Sequence, residues 1–93
     1  MKMCDIGTRY GTTIDNKDLT FEIVEHIATL RYYEDGFMKQ LNLVSWNDTE
    51  PVYDIRKWKF DTDTGRPQLM RGVTLNRREL ARLLEACTIV REV

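Results

Sequence analysis

The sequence predicts an α+β domain in which four antiparallel strands are followed by one C-terminal helix, in the order β-β-β-β-α. Three observations carry that expectation. Between Phe21 and Leu75 apolar residues recur at alternate positions in short runs, the period of a strand with one face turned away from water. Loop-forming stretches at 33–36, 47–51 and 61–67, rich in Asp, Asn, Gly and Pro, separate those runs. Only after Asn76 does the spacing change to the roughly 3.6 residues of a helix.

The chain has 93 residues, enough for one small domain with a limited core. Residues 1–19 are polar and short of core-sized side chains, so they read as a flexible N-terminal arm, and 20–93 as the folded domain. Phe21–Leu30 is the first strand. Its pattern is divided, because Phe21, Ile23 and Ile27 suit a strand while Phe21, Val24 and Ala28 suit a helix. The repeated β-branched residues favour the strand. Asp35-Gly36 marks the following turn. Lys39–Trp46 alternates Leu41 and Leu43 with Gln40 and Asn42, a half-solvated second strand. Val52–Phe60 is the third. Leu69–Leu75 is the fourth, with Leu69, Arg71, Val73 and Leu75 on one face and Gly72 marking a bulge or a close backbone approach. Asn76 caps the helix, with Glu79 in place for a capping box. Leu80, Leu83, Leu84 and Cys87 then line one helical stripe, which places Cys87 among buried apolar residues.

Composition excludes several classes. Apolar residues make up 42% and charged residues 31%, which suits a globular chain. No apolar run approaches the ~18 residues of a membrane span, and the first residues lack the apolar stretch of a secretory signal. A cytoplasmic protein, with association to the nucleoid as an option, is the expectation. His26 is the one histidine, Cys4 and Cys87 are the two cysteines, and no Cys-x-x-Cys is present. No metal site, no cofactor and no catalytic group are therefore expected. Asp61-x-Asp63-x-Gly65 echoes the start of a calcium loop, but its later glutamate position is Gly72.

Charge is unevenly spread along the chain. Residues 1–55 hold five Lys/Arg against ten Asp/Glu, a net of −5, whereas residues 56–82 hold eight against three, a net of +5. Aromatic and basic residues interleave on the strands. Trp46, Tyr53, Trp58 and Phe60 can stack bases, while Lys39, Arg56, Lys57, Lys59, Arg66 and Arg71 can meet phosphates. Asn42, on the polar side of the second strand, joins that set. The competing reading is that Trp58 and Phe60 are core and the cations an ordinary solvated face.

In order, M-K-Q-L-N-L-V-S-W (38–46), Y-D-I-R-K-W (53–58), G-V-T-L-N (72–76) and the closing amphipathic helix resemble the transcriptional positive cofactor four family, in particular its small bacterial members. The resemblance covers about residues 20–88. It implies a curved four-stranded sheet, a homodimer formed through the helix residues Leu80, Leu83, Leu84 and Cys87, and binding of single-stranded DNA with little sequence preference. It implies no enzymatic activity. Arg56 matches the arginine of the family's D-I-R strand, and Trp46 and Trp58 match or neighbour its stacking aromatics. Lys39 and Arg71 match basic positions on the second and fourth strands. The loop at 47–51 departs from the family in carrying Asp48 and Glu50, and residues 1–19 share nothing with the eukaryotic regulatory tail. The expected role is an accessory one in transcription, replication or repair, alongside proteins of those processes. A single-stranded RNA binder and a small dimeric protein-interaction module are the alternatives, the latter supported by the acidic first half.

Overall fold

Strands form where the sequence alternates, and one more forms than the alternation announces. The computed structural model describes residues 7–14 and 16–88. Its elements are β1 (Arg9–Ile14), β2 (Lys17–Tyr32), β3 (Phe37–Trp46), β4 (Val52–Phe60), β5 (Pro67–Leu75) and α1 (Arg77–Cys87). The strands form one curled antiparallel meander in the order β1-β2-β3-β4-β5. No helix among the described residues is long and apolar enough to cross a membrane.

The additional strand corrects the reading of residues 1–19 as an arm. Arg9–Ile14 pairs with Glu22–Lys17 through a tight turn that holds Asn16 at φ 62°. Tyr10 anchors it, with its ring stacked 5.6 Å from that of Phe21. One aromatic contact and a row of threonines suffice for a hairpin on an existing sheet edge, although the segment is poor in large apolar residues. Residues 1–6 of the expected arm lie outside the described residues.

β2 is unusually long and is bent at regular intervals. Its register with β3 shifts between Ile23 and Glu25, between His26 and Ala28, and between Thr29 and Arg31. Each shift inserts one residue on β2, a β-bulge that increases local twist. As a result Ile23, His26, Thr29 and Tyr32, three apart, face Val44, Asn42, Gln40 and Met38, two apart. A strand whose inner face repeats every third residue matches neither pure period, which is why Phe21–Leu30 looked divided.

The inner face of the curl is the core. Phe21, Ile23, Met38, Val44, Trp58 and Phe60 are buried, with Tyr10, Trp46 and Leu69 packed against them. Phe21 lies 5.5 Å from Trp58 and 5.9 Å from Trp46, ring centre to ring centre. Gly36 closes the β2–β3 turn at φ 82°, and its carbonyl accepts from the Phe60 amide; a Cβ there would sit 2.2 Å from the Phe60 carbonyl oxygen. The fourth expected strand begins two residues earlier than read, and its faces are corrected by a bulge. Leu69 pairs with Trp58 and Gly72 with Arg56, so three steps on β5 match two on β4. Leu69 therefore points inward, while Val73, opposite Ile55, points outward. Gly72 is a close approach, since a Cβ would meet the Arg56 Cβ at 2.5 Å.

The helix starts where expected. Asn76 accepts from the Glu79 amide at 2.7 Å and Glu79 returns the bond to the Asn76 amide at 2.8 Å. It meets the sheet mainly at β4 and β5, and none of its residues is fully buried. Cys87 is exposed, contrary to its reading as a buried hydrophobe, because among the described residues nothing covers the stripe beyond Leu80.

Candidate nucleic-acid interface

Strict alternation on β4 divides the expected binding residues between two faces. Asp54, Arg56, Trp58 and Phe60 point inward and Tyr53, Ile55, Lys57 and Lys59 outward, as their β3 partners show. Trp58 and Phe60 thus lie as the competing reading has them, in the core, and the more open side of β4 is the one that carries Lys57 and Lys59. Trp58 and Asn42 are both 0% exposed and Arg56 retains 13% of its side chain in contact with solvent. Trp58 therefore belongs to the core, and Ile55 to the half-covered outer face.

Polar side chains can face inward here because they satisfy one another. Asn42 Nδ2 donates to Gln40 Oε1 at 3.1 Å, and Gln40 Nε2 donates to Thr29 Oγ1 at 3.3 Å. His26 Nδ1 lies 2.7 Å from Asn42 Oδ1 and its Nε2 3.2 Å from Thr29 Oγ1. An amide oxygen only accepts, so Nδ1 carries a proton, and in that tautomer Nε2 accepts from the Thr29 hydroxyl. The four side chains close into a ring in which every donor points the same way around. Beside it Arg56 donates from Nε to both Asp54 oxygens at 3.2 Å, from Nη2 to Oδ1 at 3.0 Å, and from Nη1 to the Met70 carbonyl at 2.8 Å. Burial raises the Asp54 carboxyl above its usual 3.8, and the hydrogen bonds and charge of Arg56 partly offset this. Arg56 also lies over the Trp46 ring at 5.0 Å. The indole N–H groups of Trp46 and Trp58 are buried without an acceptor among the described residues.

The outer face gathers the other cations. Lys39 pairs across the sheet with Arg31 on β2 and with Lys57 on β4, which sets three cations in a row. Like charges placed directly opposite destabilise a sheet. Aromatic rings moderate the repulsion: Arg31 and Lys57 lie 4.7 and 4.5 Å from the centre of the Tyr33 ring, and Lys57 and Lys59 lie 5.0 and 5.2 Å from that of Phe37. Arg71, exposed on β5, joins Lys39 and Lys57 around a shallow cleft of about 370 Å3. No ion pair among the described residues engages any of these five cations.

Of the expected residues, Lys39, Lys57, Lys59 and Arg71 come together here. Arg56 and Trp46 sit together on the inner side, and Arg66 lies apart in the β4–β5 loop. Arg31, Tyr33 and Phe37 were not anticipated. Their signal was the Asp35-Gly36 turn, which folds Arg31 and Tyr33 back alongside Phe37 and Lys39. The Asp61-x-Asp63 pattern has a local use: Asp61 Oδ1 accepts from the amides of Asp63 and Thr64, each at 2.9 Å, and these bonds lower its carboxyl below the usual value.

Searches among known proteins add one relative of similar size. No family model matches the chain. An uncharacterized protein of Treponema pallidum (strain Nichols) is 34% identical over 68 residues, which cover 73% of this chain and 75% of that one.

Proposed function

For a chain that belongs to one family with the uncharacterized Treponema pallidum protein, we propose a role as a homodimeric single-stranded nucleic-acid-binding protein. The outer-face cluster is the contact surface, and DNA the first candidate. The single observation that carries this reading is the cross-strand row Arg31, Lys39 and Lys57, three cations set side by side without an ion-pair partner among the described residues. A phosphate backbone laid along that row relieves the repulsion and releases counterions. Tyr33 and Phe37 supply stacking faces between the cations, sequence-tolerant because every base has a π-face. An open sheet face suits a flexible strand. The resemblance to the positive cofactor four family supports the same activity and an accessory role in transcription, replication or repair, although here the cluster lies on the side of the sheet opposite Arg56 and Trp58.

The dimer is part of the proposal. Leu83 and Leu84 on the helix, and Ile27, Leu30 and Val73 on the sheet, are exposed apolar side chains. A second copy covering the stripe Leu80, Leu83, Leu84 and Cys87 would bury the two helix leucines.

Titration of a fluorescein-labelled oligo-dT at two salt concentrations tests the binding. Four phosphate contacts, from Arg31, Lys39, Lys57 and Lys59, give an expected log–log salt slope of about −3. Lys57→Glu is expected to weaken binding by about tenfold or more at low salt. Absence of binding at low salt, or an affinity that ignores salt, overturns the reading.

A further inference from the structure

Positive charge on the outer face is uneven, and it gathers toward one edge of the sheet. At the β2 end of the cross-strand row Arg31 stands beside Lys39. At the other end Lys39, Lys57 and Arg71, on the adjacent strands β3, β4 and β5, surround the cleft of about 370 Å3. The bulge on β5 fits Arg71 into this arrangement. Trp58 pairs with Leu69 and Arg56 with Gly72, so Met70 and Arg71 share the place opposite Lys57. β5 is the sheet edge, and the row ends there. The other residues lining the cleft are Tyr33, Ile55, Arg56 and Gly72, with no carboxylate among them. Arg56 is already engaged, since its guanidinium is bonded to Asp54 and to the Met70 carbonyl. Lys57 lies against the Tyr33 and Phe37 rings, but a ring contact leaves an ammonium its full charge. Three positive charges therefore face one opening without an ion-pair partner among the described residues.

An internal phosphodiester brings a single negative charge to such an opening. A phosphate monoester at the end of a strand brings about −1.5 to −2 at pH 7, and three oxygens that accept charge-assisted hydrogen bonds. We propose that the cleft seats the terminal phosphate of a single strand, with Lys39, Lys57 and Arg71 as its donors. The inference rests on the nucleic-acid reading above and adds a preference for phosphorylated strand ends. From the cleft the strand continues along the row toward Arg31, where a lone additional cation suits a diester. The cleft is open on its outer side, which suits a group that must stay joined to the rest of a chain.

Two pairs of short oligo-dT probes, read by fluorescence polarisation with the full chain at low salt, test this. One pair carries fluorescein at the 3′ end and either a hydroxyl or a phosphate at the 5′ end. The other pair carries fluorescein at the 5′ end and either a hydroxyl or a phosphate at the 3′ end. A cleft of fixed shape accepts one strand polarity. Phosphorylation of one end is therefore expected to tighten binding about tenfold, and of the other end by less than about twofold. Methyl esterification of the favoured phosphate leaves a single charge and is expected to remove the gain. Arg71→Gln is expected to bring the ratio of phosphorylated to unphosphorylated affinity close to one. Arg31→Gln, outside the cleft, is expected to weaken both strands and preserve that ratio. A ratio is not imitated by a general loss of affinity or of folded protein. If no oligo-dT binds, the nucleic-acid reading and this inference fall together. If oligo-dT binds but neither phosphate tightens it, or both tighten it equally, the inference alone is overturned, since added charge without a seat acts at either end. Retention of the gain by the methyl ester or by Arg71→Gln overturns it as well. Displacement of the strand by thymidine monophosphate at about micromolar concentration also overturns it, and assigns the cleft to a free nucleotide.

Discussion

Trp58 and Tyr33 exchange roles once the faces are known. Trp58 is fully buried between Phe21 and Phe60, so Trp58→Ala is expected to cost about 3–5 kcal/mol of stability. Trp58→Phe should cost much less, since it also removes an indole N–H that lacks an acceptor. Tyr33→Ala, on the half-covered outer face, should weaken oligo-dT binding with little change in denaturation midpoint. Chemical denaturation and oligo-dT titration of the three variants check this, and a Trp58→Ala protein of wild-type stability would return that ring to the surface. Asp54 makes a prediction of opposite sign to most carboxylates. Its folded-state value lies above 3.8, so the folded protein holds the proton while the unfolded chain has released it. Stability should therefore fall as pH rises from about 3.8 through the folded value, and level off beyond it. Asp61, lowered by two amides, contributes stability above the usual value that is lost as pH falls through its folded one. Asp54→Asn should remove only the first of these steps, measured by urea titrations across the acid range, and an unchanged pH profile would contradict it.

At the scale of elements, β3, β4 and the helix were legible, and the reasons the others were not are local. Leu41 and Leu43 alternate with Gln40 and Asn42 as a half-solvated strand should. The inversion of faces came from that same regularity. Gln40, Asn42, Asp54 and Arg56 look like a wet face in one dimension, yet their hydrogen-bond partners come from β2, β4 and β5 and only the assembled sheet supplies them. β1 was missed because its one aromatic residue, Tyr10, meets its ring partner Phe21 only in the folded hairpin. β5 was misfaced because one bulged residue shifts parity, and Gly72 marked the place without giving the direction. The helix depends on its cap more than on packing, since none of its described residues is fully buried. Asn76→Ala is accordingly expected to cost about 1 kcal/mol. Loss of helical circular dichroism at lower temperature than the sheet signal would show it, and superposed transitions would not.

For the whole molecule the exposed apolar residues decide the arrangement. Ile27, Leu30, Val73, Leu83 and Leu84 lie on a chain with 31% charged residues and a formal net charge of −1, which gives little long-range repulsion between copies. Leu84→Glu is expected to shift the sedimenting species from dimer to monomer while the sheet remains folded. A wild-type chain that is monomeric at about 100 μM would remove the dimer from the proposal. The first 55 residues, net −5, contribute two cations of the outer row, Arg31 and Lys39, so the linear charge split does not survive folding. Pairing of β3 with β4 sets Lys39 beside Lys57 and so mixes the two halves on one face.

The three bulges of β2 also bear on how such a chain can change length. Val24, Ile27 and Leu30 are the inserted residues, and each lies between inner positions that keep their β3 partners with or without it. Deleting Ile27 would leave His26 opposite Asn42 and Thr29 opposite Gln40 and merely flatten the curl. Removing an ordinary strand residue would instead turn every later side chain over. β2 is thus a strand along which single-residue insertions and deletions can be accepted at three points, so that the curvature of the sheet can drift among relatives while the half-buried ring of His26, Thr29, Gln40 and Asn42 keeps its neighbours.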